Sequence, residues 1–357
     1  MQSPRRHIWP VLLSALLACT APAARPAAGP ASPSPAAAAP PPAVSAPPPT
    51  AAAVPVAAQP VKVAYGFISA DALPLWVGEE QGIYRKHGLV PESTFLQSSA
   101  QVAAAMASGE IELALTAVFG VVEIDLAGGD QVILAAVHRY LPLRLHARPD
   151  IRRVEDLRDK RISITRLGSG GAMVTEILLQ RAGLVAGRDA TLVQSGTVEN
   201  QIAALVGNAV DAATVGVPAT FVAEREGFPL LADGYESRIP SMHGVVAVTR
   251  PYLAAHDDIV QRFLRGYVET LGLIQRDKAL AKRVLAQRTG TDDEDVLERT
   301  WQMYVGQMTD TPFPWPEGVQ TVLDHSPPDR VAASGWRAED FIDERPIRAL
   351  DATGFIH

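Results

Sequence analysis

From residue 61 to about residue 235, short aliphatic and β-branched runs alternate with longer segments that repeat apolar side chains every three to four residues. This alternation is typical of βαβ units, whose strands form a largely parallel sheet covered by helices. The sequence therefore predicts an α/β fold. The predicted strands cover residues 61–65, 111–115, 132–137, 161–165, 191–194 and 210–214.

A weak internal repeat indicates two similar lobes. Residues 108–114 align with residues 207–213, and in both copies an alanine-rich helix leads to an acidic residue and a short apolar strand. The alternative is that any helix–turn–strand unit has this pattern. The repeat alone leaves both interpretations open.

The last third of the chain has a different character. One further strand is predicted at residues 244–249, and long amphipathic helices follow it, for example through Ile259, Phe263 and Tyr267. Thr291 and Glu294 have the spacing of a capping box. The acidic run 292–295 is therefore interpreted as charge near a helix N-terminus and not as a metal site.

The N-terminus has the layout of an export signal that ends at the only cysteine of the chain. Arg5 and Arg6 precede a short apolar run at residues 8–17, which is too short to cross a bilayer comfortably. The sequence then reads Leu-Leu-Ala-Cys up to Cys19 and resembles the lipobox of bacterial lipoproteins. This predicts residues 1–19 as a signal peptide and Cys19 as the lipid attachment site. The alternative to the lipobox is an ordinary cleavage site that happens to precede a cysteine. The pair Arg5 and Arg6 also leaves twin-arginine export open as the export route.

Residues 20–60 consist almost entirely of Ala, Pro, Ser and Val, with Arg25 as the only charged residue. Such a segment buries too little side chain to offset the entropy of ordering it. We expect a disordered tether that holds the body at up to about 120 Å from a membrane. The formal net charge of the whole chain is −7, and residues 1–60 contain no acidic residue. An acidic body of this kind excludes a nucleic-acid partner.

Several blocks between residues 61 and 357 resemble one family of binding proteins. Residues 79–89 (EEQGIYRKHGL), 154–162 (VEDLRDKRI), 168–171 (GSGG), 181–184 (RAGL) and 207–214 carry the resemblance, together with 316–320 and 340–343. These blocks are similar to the substrate-binding proteins of nitrate-, sulfonate- and taurine-type ABC transporters. Asp159 stands where the family usually has glycine, so the turn there is expected to differ.

The resemblance implies a two-lobed periplasmic-binding-protein-like fold with a cleft between the lobes and a helical C-terminal region. Lobe I would comprise residues 61–144 and 247–357, and lobe II residues 145–246. The chain would cross between the lobes near residues 143–148 and 243–246.

Candidate ligand contacts follow from the loops at the carboxyl ends of the strands, where open parallel sheets bind ligands. In lobe I these are Phe67, Ser69, Thr116 and Val118. Phe67 is a candidate for stacking on a planar ligand.

In lobe II the most informative loop is the glycine-rich turn Gly168, Ser169, Gly170 and Gly171, which precedes a helix predicted to begin at about Ala172. Backbone N–H groups at a helix N-terminus suit a polar anion. A glycine turn used only for packing is the alternative. The other candidates are Arg144, Arg166, Ser195, Gly196, Pro218 and His243. For Arg144, Arg166 and His243, surface or structural roles are alternatives.

Enzyme and cofactor signals are absent from the sequence. There is no phosphate loop, G-x-S-x-G, H-E-x-x-H or second cysteine. We therefore expect an exported, membrane-anchored, monomeric receptor that captures a small organic molecule, anionic or heteroaromatic, and delivers it to ABC permease subunits. No catalytic residue, metal or cofactor is predicted. A ligand-sensing lipoprotein, or an enzyme of pyrimidine or menaquinone type on the same fold, are the alternatives.

Overall fold

The strands of the protein form two separate sheets. The structure is a computed structural model that describes residues 58–309 and 311–356. Cys19 and residues 20–57 of the predicted tether lie outside the described residues, whereas Gln59 and Pro60, which the prediction assigned to the tether, begin the first strand. The strands are β1 (Gln59–Tyr65), β2 (Leu89–Phe95), β3 (Leu113–Ala117), β4 (Gln131–Ala135), β5 (His138–Tyr140), β6 (Arg144–Ala147), β7 (Arg161–Ile164), β8 (Thr191–Gln194), β9 (Ala212–Val215), β10 (Leu230–Asp233) and β11 (Pro240–Thr249).

The first sheet has the order β2-β1-β3-β11-β4, and β5 also pairs with β11. Strand β1 runs parallel to β2 and β3, whereas β11 runs antiparallel to β3, β4 and β5. Every residue of β3 and β4 is buried, because helices cover both faces of the sheet.

The second sheet has the order β10-β6-β9-β7-β8. Strand β7 runs parallel to β8 and β9, and β6 runs antiparallel to β9 and β10. In both sheets, three parallel strands therefore occupy one side (β2, β1 and β3, or β8, β7 and β9), and antiparallel strands occupy the other side, where the chain enters or leaves the sheet. The mixed α/β class predicted from the alternating pattern is confirmed.

Helices follow most strands and dominate the C-terminal third. They are α1 (Leu73–Glu80), α2 (Ile83–Lys86), α3 (Ser99–Ala107), α4 (Val118–Asp125), α5 (Gly170–Arg181), α6 (Val198–Val206), α7 (Ala219–Arg225), α8 (Arg250–Ala255), α9 (Asp257–Arg276), α10 (Lys278–Thr289), α11 (Glu294–Gln307), α12 (Pro316–His325), α13 (Pro328–Ser334) and α14 (Arg345–Asp351). Within the described part of the chain, none of them is long and apolar enough to cross a membrane.

The predicted capping box at the start of α11 is wrong in its details. The helix begins at Glu294, and its N-cap is Asp293, whose carboxylate accepts hydrogen bonds from the N–H groups of Asp295 and Val296. Thr291 lies two residues too early to cap it. The interpretation of the acidic run as helix N-terminal charge remains, because Glu294 and Asp295 occupy the first turn.

The connections between the sheets lie earlier in the chain than the sequence predicted. The chain leaves the first sheet after β5 and enters the second at β6, so the first connection covers residues 141–143. It returns between β10 and β11, through residues 234–239. The predicted crossings at 143–148 and 243–246 instead fall largely on β6 and inside β11. Strand β11 was underestimated because its first residues break the apolar run.

The two connections lie side by side. Leu141 N donates a hydrogen bond to Ile239 O at 3.1 Å, and Gly234 N donates one to Leu143 O at 2.9 Å. A Cβ atom at Gly234 would lie 2.9 Å from Leu141 O and 3.0 Å from Leu143 O. Gly234 therefore permits the close approach that joins the two segments.

Candidate functional site

A cavity of about 200 Å³ lies where the carboxyl ends of strands from both sheets face each other. The first sheet contributes the segment Gly66, Phe67 and Ser69 after β1, and Ala117 at the end of β3. The second sheet contributes Thr165 after β7, together with Thr214, Val215 and Gly216 at the end of β9. This is the edge at which open α/β sheets bind ligands.

A second cavity, of about 410 Å³, lies between α9 and the C-terminal segment. Two of its charged groups, Lys86 and Glu269, already pair with each other at 2.7 Å, and Arg276 also lies in its wall. This second cavity lies away from the carboxyl ends of the strands. The cavity between the sheets is therefore the candidate binding site.

Three helix N-termini converge on the candidate binding site. The N-caps of α3, α5 and α6 are Ser98, Ser169 and Thr197, and all three line the cavity. Each hydroxyl accepts a hydrogen bond of 3.3 Å from the N–H group three residues later. The other N–H groups of the first turn have no partner within the helix and carry the positive end of the helix dipole. This arrangement favours a ligand with anionic oxygens.

Few side chains in the cavity wall are ionisable. They are Asp71, Glu199 and His243, and no lysine or arginine belongs to the wall of this cavity as the structure describes it. The phenyl ring of Phe67 stacks on the imidazole of His243, with ring centres 5.2 Å apart. Phe95 adds a second aromatic ring to the wall. One part of the cavity wall thus offers uncharged N–H hydrogen-bond donors, and another part is apolar and aromatic.

Asp71 is the most strongly perturbed group in the wall. It is 5% exposed and lies in the 3₁₀ turn Ala70–Ala72. Burial alone would raise the pKa of its carboxyl, but two histidines and their positive charge hold that pKa well below its usual range. His138 and His243 each place Nδ1 3.2 Å from one carboxylate oxygen. Asp71 is therefore an ionised carboxylate beside the cavity.

The two glycines at the start of α5 have different surroundings. A Cβ atom at Gly170 would lie 2.6 Å from Cε2 of Phe119, a buried side chain of α4. A Cβ atom at Gly171 would meet only Thr214 O at 3.7 Å and Ser169 Oγ at 3.8 Å. Gly170 thus serves packing between α4 and α5, whereas Gly171 leaves the N-terminus of α5 open to the cavity.

Half of the predicted contact residues line the cavity. These are Phe67, Ser69, Ser169, Gly170, Gly171, Gly196 and His243. The helix after the glycine-rich turn begins at Gly170, two residues earlier than predicted. The glycine-rich turn and the loop after β1 both contribute residues to the wall of this cavity.

The other predicted residues lie outside the cavity wall, which corrects their assignment. They are Thr116, Val118, Arg144, Arg166, Gly168, Ser195 and Pro218. Arg144 is the clearest correction, because its Nε donates to Asp233 Oδ2 at 2.6 Å. Ser195 shares a 2.6 Å hydrogen bond with Ser163 Oγ, and Pro218 is the N-cap of α7. Thr116 and Val118 are buried in the core.

The sequence reasoning missed Asp71 and the N-cap Ser98, whereas Thr197 belongs to a loop, residues 195–197, that it did consider. A signal for Ser98 was present, since Ser98 and Gln101 have capping-box spacing. In the structure Ser98 Oγ accepts a hydrogen bond from Gln101 N, while the side-chain oxygen of Gln101 accepts one from Gln97 N and not from the N-cap residue. Asp71 gave no such signal. Its contacts come from β5 and β11, which are remote in sequence.

Two sheets that place strand ends and helix N-termini around one cavity define the class of two-lobed solute-binding proteins. The comparison with known families is more specific. The family described as the periplasmic substrate-binding protein of phosphonate ABC transporters matches residues 85–291. The chain belongs to this family and is the extracytoplasmic substrate-binding component of an ABC import system. No curated protein matches the chain.

Solved structures share the fold at low sequence identity. A protein of Bordetella bronchiseptica RB50 has 17% identity and a TM-score of 0.71, covering 83% of this chain and 98% of its own. The alkanesulfonate-binding protein SsuA of Xanthomonas axonopodis pv. citri, bound to MOPS, has 20% identity and a TM-score of 0.67, covering 80% and 99%. The nitrate-binding protein NrtA of Synechocystis PCC 6803 has 15% identity and a TM-score of 0.68, covering 84% and 91%. The resemblance to sulfonate- and nitrate-type proteins is thereby confirmed.

Proposed function

We propose that this receptor captures a small organic anion in the cavity between its sheets and delivers it to the permease of an ABC importer. The observation that carries the proposal is the convergence of the N-termini of α3, α5 and α6 on one cavity. First-turn N–H groups bind carboxylate, sulfonate or phosphonate oxygens without a cationic side chain. The remaining wall, with Phe67 and Phe95, accepts an apolar portion of the ligand.

The size of the cavity supports a compact ligand. About 200 Å³ is below the roughly 300–1,000 Å³ typical of sites for drug-sized molecules, yet the space exceeds what a four-atom ion such as nitrate fills. The family name refers to phosphonates and the SsuA neighbour is described as binding alkanesulfonate. Both ligand classes have a polar anionic head and a carbon-bound remainder. This supports an organic anion over an inorganic one.

The proposal includes closure of two lobes around the ligand. The first sheet, with the C-terminal helices, would form lobe I, and the second sheet would form lobe II. The paired connections at residues 141–143 and 234–239 are the proposed hinge. A ligand that contacts both lobes favours the closed state through its differential affinity.

The proposal also includes a lipid anchor at Cys19 and a monomeric receptor. The support is the signal-like N-terminus, the lipobox-type residues before Cys19 and the absence of any other cysteine from the sequence. The Pro- and Ala-rich segment 20–60 would then hold the body away from the membrane.

A thermal-shift screen tests the ligand class. The panel comprises ethanesulfonate, taurine, methylphosphonate, nitrate and a neutral pyrimidine. A ligand present at 100 times its Kd stabilises the folded state by about 2.7 kcal/mol, which corresponds to a rise in Tm of about 4 °C for a folded body of about 300 residues. We expect organic anions to raise the Tm and nitrate to have little effect. A panel in which no organic anion raises the Tm contradicts the proposed ligand class.

A further inference from the structure

Two large apolar side chains in the wall of the candidate binding site remain exposed. Ile68, in the segment after β1, is 40% exposed, and Phe95, the last residue of β2, is 37% exposed. Exposed apolar surface that is bordered by polar groups typically marks the place that a ligand covers. Here the polar border is supplied by the helix N-termini in the same wall. Ile68 and Phe95 therefore belong to the part of the site that holds the carbon portion of the ligand.

The ring of Phe95 is better placed to receive a ligand than the ring of Phe67. Phe67 already stacks on the imidazole of His243, with the two planes inclined by 28°. Phe95 packs on Tyr65, its partner across β1 and β2, with ring centres 5.6 Å apart. Tyr65 in turn meets the buried ring of Trp76 edge-on at 5.8 Å. Phe95 is thus the exposed end of a row of three aromatic rings, and the paired strands hold it in position.

This exposed ring is close to one of the helix N-termini that suit an anion. Phe95 precedes Ser98, the N-cap of α3, by three residues, which an extended backbone spans in at most about 11 Å. The start of α6 has a similar arrangement, because Val198 directly follows the N-cap Thr197 and lines the same cavity. Apolar side chains therefore stand beside the N–H groups of both helices. A ligand that meets both kinds of surface has its apolar group close to its anionic head.

Resting on the proposed function, we propose that the carbon portion of the ligand is an aromatic ring bonded directly to the anionic group, and that Phe95 is the residue that selects it. The anionic head accepts hydrogen bonds from first-turn N–H groups, and the ring packs on Phe95 and against Ile68. Aromatic pairs gain affinity beyond that from the buried area. A rigid ring also has fewer rotations to lose on binding than an alkyl chain of the same size. The ligand class is thus an arenesulfonate, an arylphosphonate or an aromatic carboxylate.

The test compares benzenesulfonate with cyclohexanesulfonate by calorimetry on the wild-type protein at pH 7. Both compounds carry the same ionised head on a six-carbon ring. Burial of apolar area alone would favour cyclohexanesulfonate or leave the two equal. An aromatic contact with Phe95 should instead make the Kd of benzenesulfonate about 2- to 12-fold lower than that of cyclohexanesulfonate. Ethanesulfonate, which has four carbons fewer, should bind about tenfold or more weakly than benzenesulfonate.

Phe95→Leu keeps an apolar side chain at the end of β2 and removes the aromatic ring. It should bring the ratio of the two Kd values close to one. Because both ligands are measured on the same variant, a loss of stability does not alter this comparison. Phe355→Leu is the matched control, since Phe355 is also only partly buried but lines the other cavity, with Arg265 over its ring. This control should keep the wild-type ratio.

The outcomes separate this inference from the proposed function. Benzenesulfonate that binds no more tightly than cyclohexanesulfonate to the wild type, or a preference that Phe95→Leu retains, overturns the inference. If ethanesulfonate binds while the aromatic preference is missing, the inference falls but the capture of an organic anion stands. If none of the three sulfonates binds, the proposed ligand class falls together with the inference.

Discussion

Substitutions at the adjacent glycines of α5 separate ligand binding from packing. Gly171→Val adds a side chain at the open helix N-terminus, where the nearest atoms to a Cβ are 3.7 and 3.8 Å away. The fold should tolerate it, but a ligand head group should no longer reach the first-turn N–H groups. Loss of one hydrogen bond to a charged group costs about 1.5–3 kcal/mol, or about 10- to 150-fold in Kd.

Gly170→Val is the matched control, because the same side chain is added one residue earlier. Its Cβ would lie 2.6 Å from Cε2 of Phe119, and overpacking of this kind costs about 1–3 kcal/mol. The Tm without ligand should therefore fall by about 2–5 °C.

Calorimetry with the strongest ligand of the screen, together with melting curves of both variants, provides the measurement. We expect Gly171→Val to keep the wild-type Tm and to lose affinity, and Gly170→Val to lose Tm. A Gly171→Val protein that binds within threefold of the wild-type Kd would refute the role assigned to the N-terminus of α5. A lowered Tm for Gly171→Val with unchanged affinity would show that both glycines serve packing.

Three further predictions concern stability, anchoring and closure. Burial raises the pKa of Asp125 to about 7, although Gln131 N–H and Arg250 act in the opposite direction. This value exceeds the ordinary pKa of 3.8, so the folded state holds its proton to a higher pH than the unfolded chain does. The free energy of unfolding of the wild type should therefore fall by up to about 4 kcal/mol between pH 4 and pH 7. In urea titrations at pH 4.5 and 7.5, the free energy of unfolding of Asp125→Asn should change less between the two pH values than that of the wild type. An equal change in both proteins would contradict the raised pKa assigned to Asp125. Cys19→Ser should move the protein from the membrane fraction to the soluble fraction, since stable anchoring requires the acyl chains; unchanged fractionation would rule out the lipid anchor. Small-angle scattering should show a smaller radius of gyration with saturating ligand, and an unchanged radius would indicate a rigid receptor.

Strand prediction failed for β2 and for the strands next to the connections between the sheets, which are β5, β6 and β10. Predicted strands 61–65, 161–165 and 191–194 agree with β1, β7 and β8 to within two residues. Strand β2 was missed because Pro91 interrupts it, and an edge strand tolerates proline because one side of its backbone is unpaired. Strand β6 was taken for a crossing between the lobes.

The amino-acid pattern was sufficient for the α/β class, for the resemblance to transporter receptors and for the glycine-rich turn, because these depend on local periodicity and on short contiguous motifs. It was not sufficient for Arg144, whose partner Asp233 is 89 residues away. Nor did it reveal the cluster of Asp71, His138 and His243, which three separate segments bring together. The charge of a side chain and the partner it pairs with depend on which strands are neighbours. Strand order arises from long-range packing and cannot be inferred from any single segment of the chain.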